Sequence, residues 1–262
     1  MTYLIPALIL GGCGILAGIL LTAASKIFYV KVDERIEKIS AELPQANCGA
    51  CGYAGCGDYA NAIVNDGAPT NLCNPGGSEA AIKIAEILGV AASDVVKTTA
   101  VVHCAGDCNA TGTEFNFDGI QSCKAAKRFF GGNGKCKYGC IGMGDCANVC
   151  ENDAIVVENG IAKILPSKCG SCGQCVKVCP NSLISIRPVD KSIDVMCSSC
   201  DNGKATKLNC KNGCIGCKIC EKKCPEGAIT VNDFHASIDY DKCVFCGICA
   251  EACPVKVIKV SR

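Results

Sequence analysis

The sequence has no tryptophan, and aromatic residues make up only 5% of its 262 positions. A core built around large rings is therefore excluded, and something other than aromatic packing must organise the fold. Charge of one sign is missing too. The formal net charge is +1, so no electrostatic argument points to nucleic acid. Histidine is scarce, with His103 and His235 the only two, and a lone histidine is more often structural than catalytic. There is no strand-placed G-x-G-x-x-G and no Walker A motif, and Gly131-Gly132-Asn133-Gly134 is too short a match to read as more than a loop. Bond-making on a nucleotide or other substrate is not expected on this chain.

Cysteine is what the chain has in abundance: 27 residues, roughly one position in ten. A disulfide scaffold of that density belongs to short secreted chains with an even count. Here the chain is long, the count is odd, and cysteines crowd at spacings of two and three residues, which is metal-ligand spacing. Ligand–metal bonds can supply folding free energy directly, which answers the shortage of aromatic core.

Residues Met1 to Ser25 carry no charge and are almost wholly apolar. About 20 such residues span a bilayer core as a helix, so residues 1–26 are read as a retained transmembrane anchor. A cleaved signal peptide would carry a basic start that is missing here. Lys26, Lys31, Arg35 and Lys38 on the following flank place that side in the cytoplasm. Gly14 and Gly18, with Gly11 and Thr22 nearby, would let a second helix approach. Cys13, inside the span, reads as a small buried hydrophobe.

Beyond a charged helical linker (Lys31 to Leu43), Leu43-Pro-Gln-Ala-Asn47 leads into Cys48-Gly-Ala-Cys51-Gly-Tyr-Ala-Gly-Cys56, with Cys73 further on. Three thiolates on a glycine-rich loop can wrap one face of a cube, and a fourth from a distant loop closes it. A [4Fe–4S] cluster needs these four; a four-cysteine zinc site is the alternative. Residues 79–88 read as a helix stopped by Gly89.

The rest of the chain repeats itself. Cys136, Cys140, Cys146, Cys150, Cys169, Cys172, Cys175 and Cys179 recur 74 residues later as Cys210, Cys214, Cys220, Cys224, Cys243, Cys246, Cys249 and Cys253, and Cys123 falls on Cys197 at the same offset. The second copy reads C-x2-C-x2-C-x3-C-P twice, the run of bacterial two-cluster ferredoxins in which the fourth cysteine ligates the other cluster. Crossed pairing follows. Cys214, Cys217, Cys220 and Cys253 hold one cluster, while Cys243, Cys246, Cys249 and Cys224 hold the other. In the first copy Cys169, Cys172, Cys175 and Cys150 form the corresponding set. Its partner set lacks one ligand, because Met143 stands where Cys217 stands. Cys136 is taken as the substitute beside Cys140, Cys146 and Cys179; a three-ligand or vacant site is the rival reading. Short strands are expected at 228–231 and 236–238, and the first copy shows a hairpin signal at Asn159-Gly160. Cys104, Cys108, Cys123, Cys197, Cys200 and Cys210 remain unassigned: a sixth cluster, a zinc site or buried thiols would each account for them.

With ligands in place of catalytic groups, the chemistry is single-electron transfer between partners. Lys204, Lys207, Lys211, Lys218, Lys222 and Lys223 form either a solvated face or a docking face for an acidic donor. Two other classes stay open, an electron-transfer subunit of a different membrane oxidoreductase and a zinc-binding scaffold.

The order of apolar helix, Leu43-Pro-x-x-Asn-Cys-Gly-x-Cys-Gly-Tyr-x-Gly-Cys56 and paired ferredoxin units closely resembles the B subunits of Rnf complexes. These are membrane-bound ferredoxin:NAD+ oxidoreductases that couple electron flow to Na+ or H+ translocation. The resemblance spans essentially the whole chain, and the doubled ferredoxin unit is similar to that of the longer, clostridial-type members. Cys136-x-x-Gly-Cys140-x-Gly-x-Gly-Asp-Cys146 looks like the family's own variant loop, which supports Cys136 as a ligand. The cysteine sets read above give five [4Fe–4S] clusters, or six with the leftover cysteines. Membership implies reduced ferredoxin as donor, other membrane and peripheral subunits as partners, and cluster domains on the cytoplasmic side of a single-pass anchor. The expected fold class is α+β. Its segments are the anchor (1–26), a four-cysteine cluster domain (27–92), a linker (93–122) and two tandem ferredoxin domains (123–190 and 191–262).

Overall fold

The computed structural model describes residues 4–27, 33–91, 94–129 and 131–260. The first element, α1 (Leu4–Ile27), is one helix of 24 residues. Its side chains are described at 11, 12 and 14–24, so Lys31 and the surroundings of Cys13 fall outside. Where described, its large apolar side chains are exposed, among them Ile15, Leu16, Ile19, Leu20 and Leu21 at 62–72%. Over that described stretch, which is shorter than a bilayer crossing, and over the other described helices, no span is long and apolar enough to cross a membrane.

Three helices form the next unit: α2 (Glu34–Glu42), α3 (Cys56–Asn65) and α4 (Gly77–Leu88). Asp33 caps α2 by accepting from the Arg35 N–H, and Gly89 ends α4 in the left-handed conformation, as its sequence signal required. The core of this unit is small and aliphatic around one ring: Ile39, Leu43, Ala60, Ile63 and Ile84 pack with Tyr59. The Tyr59 hydroxyl donates to the Pro69 carbonyl at 2.6 Å and accepts from the Leu72 N–H, which ties the Cys73 loop to α3.

The repeat then appears as two units of one plan. The first comprises β1 (Thr98–Val102), α5 (Cys123–Arg128), α6 (Asp145–Asn148), β2 (Ile155–Glu158), β3 (Ile161–Ile164), α7 (Gln174–Val178) and β4 (Ile184–Pro188). The second comprises β5 (Ile193–Val195), α8 (Gly203–Asn209), α9 (Ile219–Lys223), β6 (Ile229–Asn232), β7 (His235–Ile238), α10 (Ile248–Ala252) and β8 (Ile258–Val260). Each unit holds two antiparallel pairs. An outer pair joins its first and last strands (β1 with β4, β5 with β8), and an inner hairpin joins the middle two (β2 with β3, β6 with β7). Asn159 and Gly160 both take positive φ in the tight turn of the first hairpin.

The segment 93–122, expected to be a linker, thus carries β1. Thr98 to Val102 pair residue by residue with Pro188 to Ile184, which makes this strand part of the first ferredoxin-like unit. Isolated alternation in a short apolar run did not reveal a partner that lies so far along the chain.

Candidate metal centres

The first cysteine loop of each ferredoxin-like unit lies against a hairpin turn at a glycine where a Cβ would strike backbone. Gly142 (φ +79°) lies so close to Gly160 that a Cβ would strike its carbonyl, and Gly216 (φ +63°) lies where a Cβ would sit 2.8 Å from the Phe234 Cα. Short helices start just after the second cysteine position, and the backbone comes near enough to the sulfurs to donate to them. Ala154 N–H meets Cys150 Sγ at 3.3 Å, Leu183 meets Cys179 at 3.4 Å, and Ala228 meets Cys224 at 3.3 Å.

Around these loops the structure gathers cysteines in fours. Cys150, Cys169, Cys172 and Cys175 line one cavity. Cys214, Cys217, Cys220 and Cys253 line a second, and Cys224, Cys243, Cys246 and Cys249 a third. These are the crossed sets read from the repeat. In the helical unit burial pushes the Cys73 thiol up, and Cys56, Cys51 and Cys48 raise it further, so the four face one another. Asn47 accepts from the Cys56 N–H at 2.8 Å and thereby caps α3, since Gly55 has no side chain to do so.

The fourth ferredoxin-type set differs from the expected one. Cys140, Cys146 and Cys179 share their cavity with Cys123, not with Cys136. Burial first, then Cys140, Cys123 and Cys179, push the Cys146 thiol up to about 12. The physical cause is Asp145. Its carboxylate accepts from the Ser122 hydroxyl at 2.9 Å and the Lys124 N–H at 3.0 Å, clamping the start of α5 onto the start of α6. Cys123 is thereby carried to the cavity of Cys140, Cys146 and Cys179. Burial works against the Asp145 charge, but hydrogen bonds from Lys124 and Ser122 hold its pKa below the usual carboxylate range. The signal that could have found Cys123 was Ser122 as a helix cap directly before it, together with an acid at position 145.

Cys136 instead lines a cavity with Cys104, Cys197 and Cys210, between the two units. The match of Cys123 to Cys197 at the repeat offset is accidental. Cys104 is the true counterpart of Cys197: each accepts from the amide two residues on (Gly106, Ser199) and from the first loop cysteine (Cys140, Cys214), at 3.3–3.4 Å. Cys108 and Cys200 are exposed. His103 and His235 make backbone hydrogen bonds at the same seam, to the carbonyls of Val195 and Cys197.

Among the described residues, no group of three or more His, Cys, Asp or Glu converges tightly enough for a single ion. Four sulfurs spread around each cavity suit a four-iron cube, whereas zinc–sulfur bonds of about 2.3 Å would draw them to one point. The cysteine sets therefore fit iron–sulfur clusters.

Comparison with known proteins agrees. Residues 43–75 match the family described as "Putative Fe-S cluster", residues 213–257 the "4Fe-4S dicluster domain" and residues 162–185 the "4Fe-4S binding domain". Three relatives are B-type subunits of translocating complexes. The chain is 43% identical over 241 residues to that of the "Na(+)-translocating ferredoxin:NAD(+) oxidoreductase complex" of Acetobacterium woodii, covering 92% of this chain and 72% of that one. It is 40% identical over 236 residues to that of the "Ion-translocating oxidoreductase complex" of Methanosarcina acetivorans, with coverage of 90% and 89%. Identity to that of the "Proton-translocating ferredoxin:NAD(+) oxidoreductase complex" of Clostridium ljungdahlii is 36% over 232 residues, with coverage of 88% and 82%. Ligand-lined cavities, family matches and full-length relatives lead to one conclusion: the chain belongs to the B subunits of ion-translocating ferredoxin:NAD+ oxidoreductase (Rnf) complexes, as their iron–sulfur electron-transfer subunit.

Proposed function

We propose that this subunit holds at least five [4Fe–4S] clusters and carries electrons from reduced ferredoxin towards the membrane subunits of its complex. The ligand sets are Cys48/Cys51/Cys56/Cys73, Cys123/Cys140/Cys146/Cys179, Cys150/Cys169/Cys172/Cys175, Cys214/Cys217/Cys220/Cys253 and Cys224/Cys243/Cys246/Cys249. The convergence of four cysteines on each of four separate cavities carries this reading. When bound, such clusters supply reversible one-electron transfer. The chain's own residues hold the sulfurs, exclude water with aliphatic cores and aim amide N–H groups at the thiolates, which tunes potential. Exposed Lys204, Lys207, Lys211, Lys218, Lys222 and Lys223 on the second unit suit an acidic donor such as ferredoxin.

The 24 residues of α1 extend about 36 Å, enough for a bilayer core. Its apolar exposed face supports a single-pass anchor, and the basic flank that follows supports a cytoplasmic location for the cluster units. Deleting residues 1–27 should move the chain from the membrane fraction to the soluble one; retention of the truncated chain on membranes stripped of its partners would disprove the anchor.

The decisive experiment is anaerobic iron and sulfide analysis of the full chain in detergent, with EPR before and after dithionite. Five clusters require about 20 Fe per chain. Replacing Cys123 by Ser should then abolish or alter one cluster signal. A colourless protein carrying zinc would overturn the function, and a Cys123→Ser protein with unchanged spectra would overturn the ligand set.

A further inference from the structure

The five sets leave one group of buried thiols unused. Cys104 and Cys197 follow the equivalent strands β1 and β5, and Cys136 and Cys210 occupy equivalent positions in the repeat, so the group consists of two matched pairs. All four line one cavity between the units. A Cβ placed on Gly106 would lie 3.3 Å from Cys210 Sγ and 3.6 Å from Cys104 Sγ, so sulfurs from the two units stand on either side of one small space.

The walls of this cavity are fastened. Ala105 N–H donates to the Met196 carbonyl at 3.0 Å, and Asn212 Nδ2 to the Ala105 carbonyl at 2.8 Å. Thr111 donates its hydroxyl to the Asn209 carbonyl at 2.7 Å, and Lys211 N–H reaches the Ala110 carbonyl at 2.8 Å. Backbone N–H groups already point at two of the sulfurs, as at the ferredoxin-type sites. A tight seam between two units would ordinarily be filled with aliphatic side chains. This one is lined by five thiols, the four unassigned ones and Cys140 of the adjoining set.

Resting on the function proposed above, we propose that Cys104, Cys136, Cys197 and Cys210 hold a sixth [4Fe–4S] cluster, shared between the two ferredoxin-like units. Its place in the fold explains why the site is there. The Cys140 amide donates to Cys104 Sγ and the Cys214 amide to Cys197 Sγ, so the first ligand of the inner site in each unit adjoins the seam. At the far end of the first unit, Gln174 and Lys177 of α7 both donate to the Cys48 carbonyl at 3.2 Å, which sets the helical unit's site against the one containing Cys175. With the seam site filled, a cluster lies between the Cys140 and Cys214 sets, where the two units meet.

The test is the metal content of the anaerobically purified full chain, with single replacements Cys136→Ser and Cys210→Ser and with Cys108→Ser and Cys200→Ser as controls. We expect about 24 Fe and 24 sulfide in the unmodified chain and in both controls, and about 20 in either seam variant. The unmodified chain decides the matter even where a variant fails to fold. About 20 Fe with the seam variants unchanged would overturn the seam cluster and leave the five-cluster reading standing. About 20 Fe plus one zinc lost on Cys136→Ser would overturn it in favour of a mononuclear site. Failure of the five-cluster reading itself would show differently, as loss of iron and colour throughout.

Discussion

Asp145 shows how a residue that touches no metal can decide which cysteine does. Two hydrogen bonds to its carboxylate hold the start of α5, and with it Cys123, against the Cys140–Cys146 loop. Charge-assisted bonds of this kind contribute about 1.5–3 kcal/mol each. Asp145→Ala should therefore release α5, lower the iron content by up to one cluster and leave the second unit's EPR signals intact. Asp145→Asn, which keeps an acceptor oxygen, should retain more iron than Asp145→Ala; equal retention by both would show that Asp145 has no positioning role. At this scale the sequence was legible in part. Local spacing C-x2-C-x2-C-x3-C names its own ligands, because all but one come from a single loop. It pointed to Cys136, whereas the structure brings Cys123 to that cavity from outside the loop, held by a carboxylate whose partners only folding reveals.

At the scale of elements, the two units are joined by charge as well as by the hydrogen bonds of the seam. Arg187 of β4 and Asp194 of β5 form a bidentate ion pair at 2.7 and 2.9 Å, with side-chain exposures of only 5% and 1%. Tyr240 donates its hydroxyl to the same carboxylate at 2.7 Å, and burial followed by that bond pushes the tyrosine pKa well above its ordinary value. Breaking such a pair strands a buried charge. Asp194→Ala should destabilise the protein by about 3–5 kcal/mol, read as a lower denaturant midpoint for loss of the brown chromophore under anaerobic conditions. An unchanged midpoint would mean that the pair is solvated in solution. Hairpins, the Gly89 stop and the α4 span were readable from short-range signals, since turn chemistry and periodicity act over a few residues. The outer strand pairs were not readable, because β1 and β4 are separated by the entire first unit.

On the scale of the whole molecule, the described residues form three small cores: one aliphatic and helical, and two in which cysteines themselves form much of the buried surface. With so little apolar side-chain volume per core, the folding free energy must come largely from metal ligation. Iron chelation under reducing conditions should therefore abolish the circular dichroism of the soluble units, with the ferredoxin-like units lost before the helical one; a native spectrum in iron-free protein would refute this. Sequence alone determined the class of cofactor and the duplication, through spacing along the chain, which covalent geometry preserves, and the family, through resemblance of its motifs. Only the tertiary structure decided that Cys123, not Cys136, lines a cavity with Cys140, Cys146 and Cys179, that β1 pairs within the first unit, and that four leftover cysteines meet at one seam. Those facts depend on contacts between segments distant in sequence, and no local pattern encodes which distant loop will fill a missing ligand's place.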